Sequence, residues 1–389
     1  MRVPTRLRAA FAAAVTSAAL TSAAIAGAAA PASASTASAS TGAGYGAGHA
    51  VFVQTDNTAG NHVVAYHRAS DGTLTPAGSY ATGGLGGILA GSVVDHTASQ
   101  GSLTYDPGHG LLFAVNAGSD TISVFAVHGD RLALRQVLSS GGTFPVSVTV
   151  HGDTVYVLNA LNGGSVQGYR VYGQYVAPLP GSRRALGLDP SATPQFTHTP
   201  GQVAFTPDGR QLIVTTKANG NDIDVFGVHA GGRLSARPTV NAEANAVPFA
   251  VTFDTSGQLV VANAGPNSVS TFTIHSDGRL TQLDTAATGQ MATCWIAPAG
   301  DYLFASNAGS ASESGLAASG SGQLTLLGAT PTDAGTVDAS ATPDGAFLYV
   351  QAGGAGKVDE FAVGSAGGLT RVGSVTVPGA AGGEGIVAS

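Results

Sequence analysis

Three side chains in this sequence could move protons in water near neutral pH if the fold brought them together: His198, Asp338 and Glu384. An imidazole titrates near neutrality and can act as the base that activates a water molecule. The carboxylates could orient it or serve as a second acid or base. The competing reading is plainer: a histidine bonded to backbone in a tight loop, and two carboxylates in ordinary turns. Lys217 and the pair Arg183 and Arg184 could grip a carboxylate or phosphate, since guanidinium binds such groups with two prongs. A paired arginine in a surface loop is otherwise simply solvated. His96, Asn219 and Asn263 complete the candidate substrate-binding set.

Other features of this kind read as structural. Cys294 is the single cysteine, so no intrachain disulfide can form, and its setting in "TCWIAP" suits a small buried apolar residue better than a nucleophile. Asparagines recur along the chain and could offer oxygens to calcium. Asn before Ala-Gly also suits a tight turn, and recurrence in nearly every repeat favours that role. Neither a metal nor a cofactor is expected. The segment "GGLGGILAG" (83–91) lacks the Lys-Ser/Thr ending of a phosphate loop and reads as a flexible crossing. No Gly-x-Ser-x-Gly nucleophile elbow with strand-turn-helix context is present.

The elements that must position these residues come from a repeat. "GLLFAVNAGSDTISVFAV" (110–127) returns as "GQLVVANAGPNSVSTFTI" (257–274), and further copies begin near residues 49, 152, 209, 300 and 345. The Asn after the first run, or its stand-in, falls at Gln54, Asn116, Asn159, Thr216, Asn263, Asn307 and Gln351. A spacing of about 40–50 residues with several strands per unit marks a β-propeller. One unit reads as "QVAFTPDG", then the continuous apolar run "RQLIVTT", then the alternating "DIDVFGV", with "GRLSARPT" (232–239) as the outer strand. The sixth unit has "SESGLAASGSG" (312–322) where an alternating third strand belongs, so that strand is expected to be weak. The third carries a long insertion, 176–200, of the kind that is often functional.

The first unit lacks its own first strand, and the chain ends with "GEGIVAS" (383–389), a first strand with nothing after it. The two deficits cancel if the C-terminal strand completes the N-terminal blade and removes an exposed edge. The expected fold is all-β: a seven-bladed propeller of four-stranded antiparallel blades over residues 49–389. On such a ring, loops leading into first strands and loops joining second to third strands meet on one face, which here reads as polar and rich in Asn.

Composition agrees. Gly 56 and Pro 18, with abundant Val, Thr and Ser, favour short strands and tight turns. A net charge of −7 without a basic cluster argues against a nucleic-acid partner. Residues 1–34, with Arg2, Arg6 and Arg8 ahead of an Ala-rich run, read as a secretory signal peptide, followed by a low-complexity tail over 35–48. A secreted (extracellular) monomer with no membrane association after cleavage is expected.

The segments "TPDGRQLIVTTKANGNDIDVF", "LPGSRRALGLDPSATPQFTHTPGQV", "NAVPFAVTFD" and "ATCWIAPAGDYLFASNAGS" resemble the lactonase-type seven-bladed propellers. That family includes the propeller form of 6-phosphogluconolactonase and the carboxymuconate cyclases. Catalytic members carry Arg-His after Pro in the loops leading into blades. Here the matching loops read "TFPVSV", "HTPGQV", "VPFAVT" and "TCWIAP". The resemblance implies a small-molecule lactone or carbohydrate-derived substrate, hydrolysed or formed by lactonising isomerisation at the channel mouth. His198 would be the base, with Lys217 or Arg183 on an anionic group. The alternative is a non-catalytic binding propeller for a glycan, peptide or cell-wall partner, because fold does not fix function.

Overall fold

Each apolar run forms the second strand of a blade and is buried along nearly its whole length, completely so in Leu111–Asn116, where all six residues are inaccessible. Neighbouring blades cover both faces of such a strand, so continuous apolarity is required. The computed structural model describes residues 49–389. The expected signal peptide and low-complexity tail lie outside the described residues.

Seven antiparallel sheets follow one another along the chain. Seven apolar clusters occupy the seams between successive blades. Tyr156, Val203 and Phe205 join the third to the fourth, for example, and Val53, Tyr349 and Ile386 join the seventh to the first. Tyrosine hydroxyls tie the seams further: Tyr156 Oη donates to the carbonyl of Gly232 at 2.8 Å and Tyr349 Oη to that of Gly72 at 2.8 Å. Stability is therefore spread around the circle.

The ring closes as the sequence requires. Ile386–Ala388 pairs antiparallel with Ala50–Gln54, giving the first blade its inner strand. Glu384 secures the joint. Its backbone N–H donates to Asp56 Oδ2 at 2.9 Å, its Oε1 accepts from the N–H of Gly101 at 2.9 Å, and its carbonyl accepts from Ser102 Oγ at 2.7 Å.

Two strand expectations are corrected. The third strand of the sixth blade is regular, Ser312–Ala318, and pairs on both sides. Small residues suffice because neighbours satisfy them: Glu313 Oε1 accepts from Ser306 Oγ at 2.6 Å and Ser314 Oγ accepts from Asn307 Nδ2 at 2.9 Å. The outer strand of the fourth blade is Thr239–Ala242, not "GRLSARPT". There the carbonyls of Leu234 and Ser235 are taken by the Arg184 guanidinium at 2.6 and 2.8 Å, and Pro238 has no N–H to donate.

Two features of the irregular chain shape the site. The insertion opens with the third blade's outer strand, Tyr175–Pro178, and ends in a helical turn, Gln195–His198. The glycine-rich crossing is packed rather than loose. A Cβ at Gly86 would stand 2.0 Å from the carbonyl oxygen of Asp56, so only glycine fits there.

Candidate active site

The segment Asp95–Ser102, which follows that crossing, is held by several blades at once. Gln100 joins it to the sixth blade: its Nε2 donates to the carbonyl of Ile296 and its Oε1 accepts from the N–H of Ile296, both at 2.9 Å. Trp295 Nε1 donates to the carbonyl of Ser99 at 2.6 Å, and Ser99 Oγ donates to that of Val146 in the third blade at 2.8 Å. From the fourth blade, Lys217 Nζ donates to the carbonyl of Ala98 at 2.6 Å.

Beside this segment lies a cavity of about 290 Å3, walled by the fourth, fifth and sixth blades and by Phe196 and Thr197 of the insertion. Its lining is mostly apolar: Val93, Val94, Val247, Phe249, Trp295 and several alanines. The expected polar, Asn-rich mouth is thus corrected. Three of the four repeat asparagines point into their own hairpins, and Asn159 donates to the carbonyl of Ser140 at 3.1 Å. Nδ2 of Asn116, Asn263 and Asn307 donates to Ser123, Ser270 and Ser314 at 2.8, 2.8 and 2.9 Å. The turns beyond them place Asp120, Asn162, Asn221 and Asn267 in left-handed backbone, which these residues tolerate.

Two ionisable side chains interrupt the apolar wall. Asp95 accepts four times: Oδ1 from the N–H and the hydroxyl of Thr97 at 2.8 and 2.9 Å, Oδ2 from the N–H of Ser99 at 3.0 Å, with a further backbone bond from Ala98. Burial nevertheless raises its carboxyl above the ordinary value, against those bonds. Lys217 is wholly buried, and desolvation pulls its ammonium down to about 7, opposed by the charge of Asp95. Its three N–H bonds go to the carbonyls of Ala98 and Phe196 at 2.6 and 2.7 Å and to Thr199 Oγ1 at 3.2 Å. The ammonium also lies 5.2 Å from the centre of the Phe249 ring.

Backbone strain gathers here. Ala98, Lys217, Val247 and Ala292 all line the cavity with φ between 46° and 56°. A β-branched valine and a buried lysine in that region are costly, and such residues cluster at functional sites. Cys294 lines the same wall, its thiol pushed up to about 12 by burial. It is protonated at neutral pH, as suits a small buried apolar residue rather than a nucleophile.

The structure brings some of the candidate residues together and separates others. Asp338 and Glu384 are both buried and share a hydrogen bond; burial raises Asp338 to about 7 and Glu384 well above its usual value. His198 is not with them. Its Nδ1 lies 2.8 Å from Thr197 Oγ1 and 3.0 Å from the carbonyl of Pro194, beside a crevice of about 10 Å3. Asn219 ties the insertion down there, with Nδ2 donating to the carbonyls of Asp189 and His198 at 2.9 Å. Arg183 is exposed and reaches the carbonyl of Gly141 at 3.2 Å; Arg184 is engaged on the fourth blade. His96 Nδ1 lies 3.3 Å from the carbonyl of Asp56, and Asn263 is bound within its hairpin. Of the candidates, Lys217 alone lines the cavity. Asp95, the immediate neighbour of His96, went unmarked; its one sequence signal is the Asp-x-Thr spacing of a turn that caps its own backbone. Among the described residues, no group of three or more His, Cys, Asp or Glu side chains is arranged to hold a metal ion.

Comparison with known proteins agrees with this architecture. Residues 184–297 match the family model described as Lactonase, 7-bladed beta-propeller. No curated protein matches the sequence. Among solved structures, the chain is similar to a 6-phosphogluconolactonase candidate from Bacteroides uniformis, at 20% identity and a TM-score of 0.70 over 87% of this chain and 98% of that one. It is also similar to a periplasmic gluconolactonase from Pseudomonas aeruginosa, at 19% identity and a TM-score of 0.70 over 87% and 98% of the two chains. A virginiamycin B lyase from Staphylococcus aureus follows at 15% identity and a TM-score of 0.51, over 74% and 87%. At such identities the likeness is one of fold.

Proposed function

We propose, with the resemblance to lactonase-type propellers as premise, that this protein hydrolyses a lactone in the channel-mouth cavity and works outside the cytoplasm. The observation that carries the reading is the meeting of Asp95 and Lys217 in one mostly apolar cavity. The Arg-rich N-terminal segment supports export.

Hydrolysis needs a base for water and a counter-charge for the oxygen that becomes negative. Asp95 takes a proton from water as its oxygen adds to the ring carbonyl. The nearby Lys217 ammonium, its N–H bonds held by Ala98, Phe196 and Thr199, stabilises the negative charge on the former carbonyl oxygen through space, undiluted by solvent. Collapse breaks the ring C–O bond, and Asp95 returns its proton to the departing alkoxide, leaving a hydroxy acid. A raised carboxyl suits both halves of this cycle, because a base poised nearer neutrality also gives its proton back readily.

A pH-indicator screen over a lactone panel tests the reading, using wild type, Asp95→Asn and His198→Ala. Loss of about 100-fold or more in turnover confined to Asp95→Asn supports the cavity. Loss confined to His198→Ala returns the base to His198. No turnover of any lactone by wild type leaves the binding-propeller reading, which the exposed apolar rim at Val93 and Met291 would serve.

A further inference from the structure

We infer that the cavity takes an uncharged lactone with an apolar substituent, of medium alkyl-chain size, and rejects phosphorylated or polyhydroxylated sugar lactones. This deepens the proposed function and rests on it for the ring chemistry, while the choice of ligand stands on the wall of the cavity alone.

The first ground is the supply of polar partners. A phosphate needs several N–H or O–H donors, commonly from arginine. Among the described residues, no arginine or histidine lines this cavity. Lys217 supplies the cation, yet all three of its N–H bonds already go to Ala98, Phe196 and Thr199. Trp295 Nε1 is likewise committed, to the carbonyl of Ser99. The Thr197 hydroxyl, the remaining polar group on the insertion side, donates to the carbonyl of Pro194 at 3.2 Å. Sugar hydroxyls would be stripped of water against Val94, Phe249 and the alanines with nothing to replace it, at a cost each. Asp95 adds repulsion for any anion.

The second ground is the apolar surface. Trp295 and Phe249 pack edge to face with ring centres 4.9 Å apart and form a rigid aromatic wall. At the rim, the lining Val93 is 84% exposed, a large apolar side chain left in solvent where a ligand would enter, and Met291, 62% exposed, directly precedes the lining Ala292. Such groups are unremarkable singly, but here they border a mostly apolar pocket. The third ground is size. A volume of about 290 Å3 holds about ten groups of water size, at ~30 Å3 each. A five-membered lactone ring carrying a chain of about four to six carbons fills it.

Trp295 is the only tryptophan, so its fluorescence reports occupancy whether or not the ligand turns over. Titrating the full protein with γ-lactones from γ-valerolactone to γ-decalactone should tighten Kd about fourfold per added methylene until the cavity is full. Glucono-δ-lactone and 6-phosphogluconate should give no saturable change. Val93→Asp, which puts a charge on the apolar wall at the rim, should shrink the gain per methylene relative to wild type. A Kd independent of chain length, or tighter binding of 6-phosphogluconate than of γ-decalactone, overturns the inference. Binding that follows chain length without hydrolysis sinks the lactonase reading and keeps the ligand class. Hydrolysis that favours the sugar lactones does the reverse.

Discussion

Raising the pH from 5 to 7 should destabilise this protein. The cause is a set of buried carboxyls, with Asp56 at the ring closure and Glu313 in the sixth blade. Asp56 is pushed from 3.8 up to about 7, chiefly by burial, and Glu313 to about 8 for the same reason. A carboxyl whose folded value is raised favours folding while it stays protonated. In the unfolded chain the same group releases its proton near 4. Between those limits the native state binds more protons, so stability falls as pH rises. The slope is about 1.4 kcal/mol per pH unit for each group. Over the two units from pH 5 to 7, with the slope halved by pH 7 as the folded group itself titrates, Asp56 alone removes about 2 kcal/mol, a large part of the ~5–15 kcal/mol typical of a folded protein.

Other groups act in other windows. Asp208, Asp333 and Asp344 are held below the usual carboxylate range, mainly by side-chain hydrogen bonds, so what they contribute is lost only as pH falls below about 4. Lys217, lowered to about 7, gains stability with pH only above that point. The window from 5 to 7 therefore belongs to the buried acids. Urea midpoints at half-unit steps should fall steadily from pH 5 to 7. Asp56→Asn should reduce the fall over that range by about 2 kcal/mol. Midpoints that rise across this range, or a slope indifferent to the substitution, refute the reasoning.

Three further outcomes follow from the same geometry. Lactone turnover should decline above pH 7 as Lys217 loses its charge, and Lys217→Met, assayed at pH 6.5, should lower kcat by about 100-fold or more. Cys294 should resist iodoacetamide at pH 8 in the native protein and react once urea unfolds it, because its thiol stands near 12 and is buried. Deleting residues 386–389 strips the inner strand from the first blade and bares the edge of Ala50–Gln54, so size-exclusion chromatography should show aggregation that wild type lacks.

The ring was legible in the sequence because each blade must bury a second strand on both faces and each turn must reverse tightly. Those demands leave apolar runs and Asn/Gly punctuation at a regular spacing, down to the missing first strand supplied by Ile386–Ala388. The site was less legible, because its walls come from segments far apart in the chain. Asp95, Phe196, Lys217 and Trp295 meet only after the crossing and the insertion fold over three blades. Side-chain chemistry also pointed elsewhere: His198 drew attention as a base and His96 as a substrate-binding residue, while Asp95, one position before His96, lines the cavity. The asparagines promised a polar face, yet Asn116, Asn263 and Asn307 each have a serine seven residues on to receive the amide, and Asn159 gives its own to the carbonyl of Ser140. In the sixth blade, propensity argued against Ser312–Ala318, and pairing on both sides overrode it.

A crystal structure of the protein soaked with γ-decalactam, in which an amide replaces the ester, tests the central claim most directly. Density for the ring is expected between Asp95 and Lys217, with the alkyl chain along Trp295 and Phe249 toward Val93. A lactam bound instead in the crevice beside His198, with the cavity holding only water, contradicts it.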